Sequence, residues 1–205
     1  MDVAILPVFV AASLILNITP GPDFAFTLAS AAKGGMRVGV LAAIGICAGI
    51  GVWVLLTAAG LAALIATYPM ALDAIRVLGG AYLIFLAVQA VRSMAEAKPL
   101  GSKTPEGSPF LSGLITNCLN PKIGVFFLAV LPGFATGSAP IWQQILVLGA
   151  IFTLTSALVL SLIALAGGAA RAYLDQSVYA RRILTGLSAL AFAGLGLRLL
   201  LSRPS

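Results

Sequence analysis

Long stretches without a single charged residue limit what this chain can fold into. No Asp, Glu, Lys or Arg occurs between Lys122 and Arg171, and none occurs between Arg37 and Asp73. Over the whole chain 60% of the residues are hydrophobic and only 9% are charged, whereas a soluble domain carries about a quarter charged residues. The composition excludes a water-soluble globule and predicts an all-α membrane protein, because helices satisfy their own backbone groups in lipid.

Six membrane-spanning helices are predicted, since a helix needs roughly 20 apolar residues to cross the bilayer. The predicted spans are about 3–32, 38–66, 71–91, 110–131, 141–166 and 183–200. The segment 93–108 is rich in Pro, Gly, Ser and charged residues and is predicted to be a linker. It joins two halves, about 1–92 and 109–205, of a single transmembrane domain that covers residues 1–205.

The positive charges predict the orientation of these spans. In the six-span arrangement eight Lys and Arg residues fall on one side and three on the other, and the side richer in Lys and Arg faces the cytoplasm. The eight are Lys33, Arg37, Arg92, Lys98, Lys103, Arg171, Arg181 and Arg182. We therefore expect a cytoplasmic 93–108 linker and both termini on the outer side. Topology then explains the net charge of +6, and no nucleic-acid partner is predicted.

Two sequence features recur between the halves. Thr19-Pro20 interrupts the first predicted span as Asn120-Pro121 interrupts the fourth, and an Arg-Gly-Arg spacing at positions 76, 80 and 92 recurs at 182, 186 and 198. Because each half has three crossings, the second half must enter the membrane from the opposite side. The prediction is an inverted repeat, as in many secondary transporters that bind substrate where the repeats meet. A duplicated bundle without a transport pathway is the alternative.

Both interruptions carry residue types that begin a helix near the middle of the membrane. Thr and Asn are favoured at the N-cap, and Pro is tolerated in the first turn, so Thr19 and Asn120 are the predicted N-caps. A helix that begins there presents unpaired amides and a partial positive charge, which attract an anion such as a substrate carboxylate. The alternative is that each Pro only bends its span.

Asp23 and Lys122 lie just past the two interruptions, where an ionisable residue costs roughly 2.5 to 3.5 kcal/mol. We expect Lys122 to face either Asp23 or the substrate carboxylate, and Asp23 to face either Lys122 or the substrate ammonium group. A purely structural ion pair is the alternative. Because the chain contains no His, any proton coupling must use a carboxylate, and Asp23 is the acidic residue placed deep in a span.

Other residue types narrow the chemistry further. Without His, and with only two Cys, neither an ordinary zinc site nor a Ser/His or Cys/His catalytic pair can form, so no enzyme activity, metal site or cofactor is predicted. Gly45 and Gly49 have a spacing that lets helices approach closely, within the chain or in a dimer. Four phenylalanines flank the interruptions and either line a pocket, face lipid or pack in the core: Phe24, Phe26, Phe126 and Phe127.

The residues around the two interruptions also form a recognisable pattern. Its parts are Asn17-x-Thr19-Pro20-Gly21-Pro22-Asp23, Gly35-x-Arg37-x-Gly39, Asn117-x2-Asn120-Pro121-Lys122 and Phe126-Phe127-Leu128. The pattern resembles the LysE-type exporter family, and specifically its RhtB-like homoserine/threonine branch. The resemblance covers nearly the whole chain, including its length, its six predicted spans and its polar central linker.

The resemblance implies a proton-driven exporter of amino acids or related metabolites in the bacterial inner membrane, with periplasmic termini, and it leaves a homodimer open. The implied substrate-binding residues are Asn17, Thr19, Pro20, Gly21, Pro22, Asp23, Asn117, Asn120, Pro121 and Lys122. The scarcity of intramembrane acids argues against a strongly cationic or divalent metal cargo. We therefore expect a small neutral amino acid, with a metal-ion or other small-solute exporter of the same architecture as the alternative.

Overall fold

The computed structural model describes residues 3–67, 71–96, 107–136 and 138–201 of the 205, and every regular element within these ranges is a helix. The elements are a 3-10 turn Val3–Ile5, α1 Leu6–Ile18, α2 Pro22–Thr67, α3 Ala71–Glu96, α4 Pro109–Cys118, α5 Pro121–Val125, α6 Ile141–Gln176 and α7 Val178–Leu201. After α5 the chain continues as a π-helical stretch Phe126–Val130 and a 3-10 turn Leu131–Phe134. The predicted all-α class is confirmed. Residues 97–106 of the predicted linker, and residues 68–70 between the second and third predicted spans, lie outside the described residues.

Several of the helices have the length and apolar composition of membrane spans. Within the described ranges these are Pro22–Gly60, Ile141–Gly167 and Val178–Leu197. The pair Pro109–Cys118 and Pro121–Phe134, whose two parts meet at 49°, makes a fourth if it counts as one span. Leu6–Ile18 and Val77–Arg92 are shorter apolar helices. The count of six crossings and the inverted repeat stay predictions.

Gly35 divides α2 into two segments, 22–34 and 36–67, that run in opposite directions. Its φ of 77° lies in the left-handed region, which glycine adopts without strain. A Cβ placed on Gly39 would lie 2.6 Å from the Cβ of Ala31, although eight residues of a straight helix span about 12 Å. The chain therefore reverses at Gly35, and the first two predicted spans meet in a helical hairpin.

The outer face of α6 is suited to lipid. Leu154, Leu158, Leu162 and Leu165 are each more than half exposed, and their spacing of three and four residues places them on one side of the helix. A continuous exposed apolar stripe is unfavourable in water. The stripe therefore supports the membrane assignment independently of segment length.

Small residues let α2 approach α4 closely. Gly45 lies against the carbonyl of Phe110, and Gly113 of α4 lies against the carbonyl of Ala42. Gly49 also faces α4. The Gly45 and Gly49 face is therefore used for packing within the chain, which was one of the two predicted uses of this spacing.

The four phenylalanines that flank the interruptions are all buried. The ring centroid of Phe126 lies 4.7 Å from that of Phe152 and 6.1 Å from that of Phe9. The ring of Phe127 meets Phe152 edge-on, with 5.4 Å between centroids. Such contacts favour the core-packing interpretation for Phe126 and Phe127.

Gly45→Ala is expected to destabilise the folded protein by about 1–3 kcal/mol, because the added methyl group would overlap backbone atoms of α4. Gly51→Ala is the matched control, since a Cβ at Gly51 meets no heavy atom within 4 Å. The measurement is thermal unfolding of the purified variants in detergent. Equal unfolding midpoints for the two variants would contradict the close approach of α2 and α4.

Candidate functional site

The first break in the helices lies at residues 19–21, between α1 and α2. Thr19 ends α1, because its backbone N–H and its Oγ1 both donate to the Ile15 carbonyl, at 3.0 and 2.7 Å. α2 begins two residues after Pro20, at Pro22, whose fixed φ suits a first helical position. The predicted N-cap role of Thr19 is wrong, since its hydroxyl is used by the preceding helix.

The second break lies at residues 119–120, between α4 and α5. Asn120 is the N-cap of α5, because its Oδ1 accepts a hydrogen bond from the backbone N–H of Lys122 at 3.1 Å. Pro121 occupies the first helical position. The prediction of an N-cap at Asn120 is confirmed. The π-helical stretch that follows, Phe126–Val130, is a rare form that occurs frequently at functional sites.

The end of α4 contacts the start of α2. Nδ2 of Asn117 donates to Oδ2 of Asp23 at 2.8 Å, and the two residues are 0% and 6% exposed. The side chain of Asn120 also lies beside the Asp23 carboxylate. Nε1 of Trp53 donates to the carbonyl of Asn117 at 3.3 Å, which ties this residue to α2 as well. A carboxylate in the first turn of α2 is further favoured by the helix dipole.

The start of α5 contacts the end of α1 through Lys122. Its Nζ donates to the carbonyl oxygens of Leu16 and Thr19, at 3.1 and 3.3 Å, and the residue is only 7% exposed. The last carbonyls of a helix lack partners within it, and a positive charge is favourable there. Sequence reasoning missed these two partners, because nothing near Lys122 in the sequence shows which helix end lies opposite.

Asp23 and Lys122 lie in the same cluster without direct contact. Their charges interact electrostatically, but in the described part of the chain the Lys122 Nζ is not within the 4.0 Å of a carboxylate oxygen that defines an ion pair. Each charged group instead bonds a neutral group from the other half of the chain. The predicted alternative of a compact Asp23–Lys122 ion pair is therefore not the arrangement in this structure.

Among the residues that the structure describes, three polar atoms of this cluster are buried and have no hydrogen-bond partner. They are Oδ1 of Asp23, Oδ1 of Asn117 and Nδ2 of Asn120. Lys122 also has a third N–H beyond its two bonds, since an ammonium group has three donors. An unpaired buried polar group costs about 1–3 kcal/mol, so these atoms require an explanation. The cluster offers two acceptors and two donors, which together suit a ligand with an ammonium and a carboxylate group.

The other predicted site residues have different surroundings. Gly21 lies against Lys122, because a Cβ added to it would lie 3.0 Å from the lysine Nζ. Asn17 faces α6, where its Nδ2 donates to Oγ1 of Thr155 at 3.2 Å and its Oδ1 accepts from Oγ of Ser156 at 2.8 Å. Asn17 therefore anchors the end of α1 to α6, and both polar atoms of its amide group are already engaged.

A family model described as LysE type translocator matches residues 14–203 and so includes both breaks. The chain belongs to the LysE type translocator family. This confirms the family resemblance and makes the protein a membrane transport protein. Within the residues that the structure describes, no three potential metal-ligating side chains come together.

Several curated proteins are similar to this LysE-type translocator. An uncharacterized membrane protein of Haemophilus influenzae is 34% identical over 171 residues, which cover 79% of this chain and 81% of the relative. One from Pseudomonas aeruginosa is 31% identical over 200 residues, 93% of this chain and 92% of the relative. A leucine efflux protein of Enterobacter sp. strain 638 is 29% identical over 195 residues, which cover 93% of this chain and 92% of the relative. No solved structure matches the chain. The assignment to the RhtB-like branch stays a prediction.

The electrostatic interaction across the cluster predicts a non-additive result in a double-mutant cycle. Asp23→Asn and Lys122→Met each leave one buried charge without its counter-charge, and the double variant leaves none. We expect the double variant to be more stable than the sum of the single effects indicates, by about 1–3 kcal/mol. Denaturant unfolding of the four proteins in detergent measures the coupling, and additive effects would contradict it.

Proposed function

We propose that this LysE-type translocator exports small neutral amino acids across the bacterial inner membrane. The observation that carries the proposal is the buried cluster between the two broken helices. Within the described part of the chain, its acceptors on Asp23 and Asn117 have no partner and lie beside donors on Asn120 and Lys122. The names of two relatives, both leucine efflux proteins, support an amino acid as cargo.

The two ends of an amino acid match the two kinds of free group in this cluster. The substrate ammonium donates to Oδ1 of Asp23 and Oδ1 of Asn117, and the substrate carboxylate accepts from Nδ2 of Asn120 and from the remaining N–H of Lys122. Asp23 is negatively charged and Lys122 is positively charged. A bound zwitterion can therefore place each of its two charges beside an opposite charge, and it adds no net charge to the site. This balance matters because an uncompensated charge is costly in a buried site.

The same charges argue against the alternative of a metal-ion exporter. Hard divalent cations take six or more oxygen ligands and are held by several carboxylates. The cluster contains one carboxylate, and the ammonium group of Lys122 repels a cation that approaches it. A strongly cationic amino acid is disfavoured for the same reason.

Proton coupling is proposed to run through Asp23. A carboxylate binds either the substrate ammonium or a proton, but not both at full strength. If periplasmic protons displace the ammonium group from Asp23, the carrier returns protonated and exports substrate in exchange for protons. The distribution of Lys and Arg around the predicted spans supports an orientation with periplasmic termini and a cytoplasmic 93–108 linker.

Asp23→Asn and Lys122→Met are each expected to lower the initial rate of amino-acid transport at least tenfold, because each removes one charge that binds the substrate. The assay uses purified protein in liposomes and radiolabelled leucine and threonine. Thr153→Val is the matched control, since the Thr153 hydroxyl bonds the carbonyl of Gly149 in its own helix. Full activity of both charge variants would show that the substrate does not bind at this cluster.

Competition experiments in the same liposomes examine the two ends of the substrate separately. Leucine methyl ester lacks the carboxylate, and N-acetyl-leucine lacks the ammonium group. We expect each to compete with labelled leucine at least tenfold more weakly than leucine itself. Competition as strong as that of leucine would show that the corresponding charge is not recognised.

An imposed pH gradient is expected to drive accumulation of labelled leucine by the unaltered protein, and an ionophore that exchanges protons for potassium is expected to abolish it. The residual flux of Asp23→Asn should be insensitive to the gradient, because this variant has no carboxylate in the cluster to protonate. Asp23→Glu is the conservative control and should retain a response. Gradient-driven accumulation by Asp23→Asn would place the proton-binding group elsewhere.

A further inference from the structure

The hydroxyl groups on the helices differ in their hydrogen bonding. Four of them donate to a carbonyl three or four residues earlier, at 2.7–2.8 Å: Ser13, Thr19, Thr153 and Thr155. Such bonds satisfy a hydroxyl within its own helix. Thr27, Ser30 and Thr57 differ, because each is 0% exposed and its Oγ atom has no hydrogen-bond partner among the described residues. Of these three, Thr27 and Ser30 lie in the 22–34 segment of α2, which also contains Asp23.

Thr27 and Ser30 lie on the same face of α2 as Asp23. With 3.6 residues per turn, positions 23, 27 and 30 fall within about 60° of one another around the helix axis, over roughly 10 Å of its length. The unpartnered Oδ1 of Asp23 is at one end of this row, and the chain reversal at Gly35 follows about one turn beyond the other. The row is a polar track from the binding cluster to the hairpin.

The track lies inside the protein. Residues 26–31 of α2 are all buried, so no side of this segment faces lipid. Part of the enclosure comes from the second segment of α2 and from α6, since a Cβ on Gly39 would contact both Ala31 and Ala164. Lys33 and Arg37 at the hairpin are exposed, and such charges favour the cytoplasmic side.

We propose that Thr27 and Ser30 line the path by which a substrate from the cytoplasm reaches Asp23. The inference rests on the proposed function, since it takes the Asp23 cluster as the binding site. A hydroxyl accepts from an ammonium group and donates to a carboxylate or to water, so these two supply partners to a zwitterion that has left bulk water. Both are wholly buried here, so the path is closed in this conformation and opens during the transport cycle.

Cysteine labelling tests the path in a Cys47→Ala/Cys118→Ala background, to which Thr27→Cys or Ser30→Cys is added. Ala29→Cys is the matched control, because Ala29 is 2% exposed and points away from the track, about 100° from Ser30 and about 160° from Thr27 around the helix axis. The probe is a membrane-impermeant trimethylammonium methanethiosulfonate, applied to inverted and to right-side-out membrane vesicles.

We expect the Thr27→Cys and Ser30→Cys variants to react at least tenfold faster than Ala29→Cys in inverted vesicles, and saturating leucine to slow the reaction at least fivefold. Equal rates for all three variants, or reaction only in right-side-out vesicles, would overturn the path. If leucine does not slow the reaction, the path stands and the proposed cargo is wrong. If the background protein transports leucine but neither cysteine reacts in inverted vesicles, the path is wrong and the proposed function stands.

A second variant separates a transport role from a structural one. Thr27→Val keeps the side-chain shape and removes a buried hydroxyl that lacks a partner, so the unfolding temperature should rise. The KM for leucine presented at the cytoplasmic face should rise at least threefold. Thr153→Val should leave the KM unchanged. A higher unfolding temperature with an unchanged KM would limit Thr27 to a structural role and overturn its place in the path.

Discussion

Backbone amides and carbonyls at the end of a helix lack partners within that helix, and lipid offers none to replace them. The helices are broken at residues 19–21 and 119–120, and the residues at each break form hydrogen bonds with the residues at the other. Lys122, at the start of α5, bonds the last carbonyls of α1, while Asn117, at the end of α4, bonds the acid at the start of α2. Without the other half of the chain, the Leu16 and Thr19 carbonyls would lose their bonds from Lys122, and the Asp23 carboxylate would lose its bond from Asn117.

The surroundings of the two interruptions are also related. Asn17 near the end of α1 bonds Thr155 and Ser156 of α6, and Asn117 near the end of α4 packs against α2 and is bonded by Trp53 there. Each broken helix is thus fixed to the long helix of the other half. The matched arrangement is what an inverted repeat predicts.

Apolar patterning and turn residues were sufficient to predict the helical class, the approximate extent of the helices and the positions of both interruptions. The N-cap at Asn120 followed from residue type, whereas the same argument failed at Thr19. The second proline, Pro22, moves the start of α2 two residues further along the chain and leaves the Thr19 hydroxyl to α1. Residue-type preferences identified the break, but they could not show whether the Thr19 hydroxyl bonds to the helix before the break or to the helix after it.

The partners of Lys122 could not be predicted, because they depend on how two distant segments cross. A buried lysine near a helix start suggested an anionic neighbour. The partially negative carbonyl oxygens at the end of α1 instead accept its hydrogen bonds. The two predicted spans 3–32 and 38–66 required a reversal between them, but its position at Gly35 was not apparent, since this glycine is one of 22 in the chain. Tertiary geometry, in both cases, selected among interactions that the sequence permits equally.

Because residues 26–31 are enclosed by protein on every side, the bilayer places no requirement for hydrophobicity on them. The lipid-facing stripe of α6 has no such freedom, since a polar substitution there would meet hydrocarbon. The substitutions that are tolerated should therefore differ between these two stretches. Substitutions in the enclosed stretch are constrained by volume and hydrogen bonding, whereas those on the stripe are constrained by hydrophobicity.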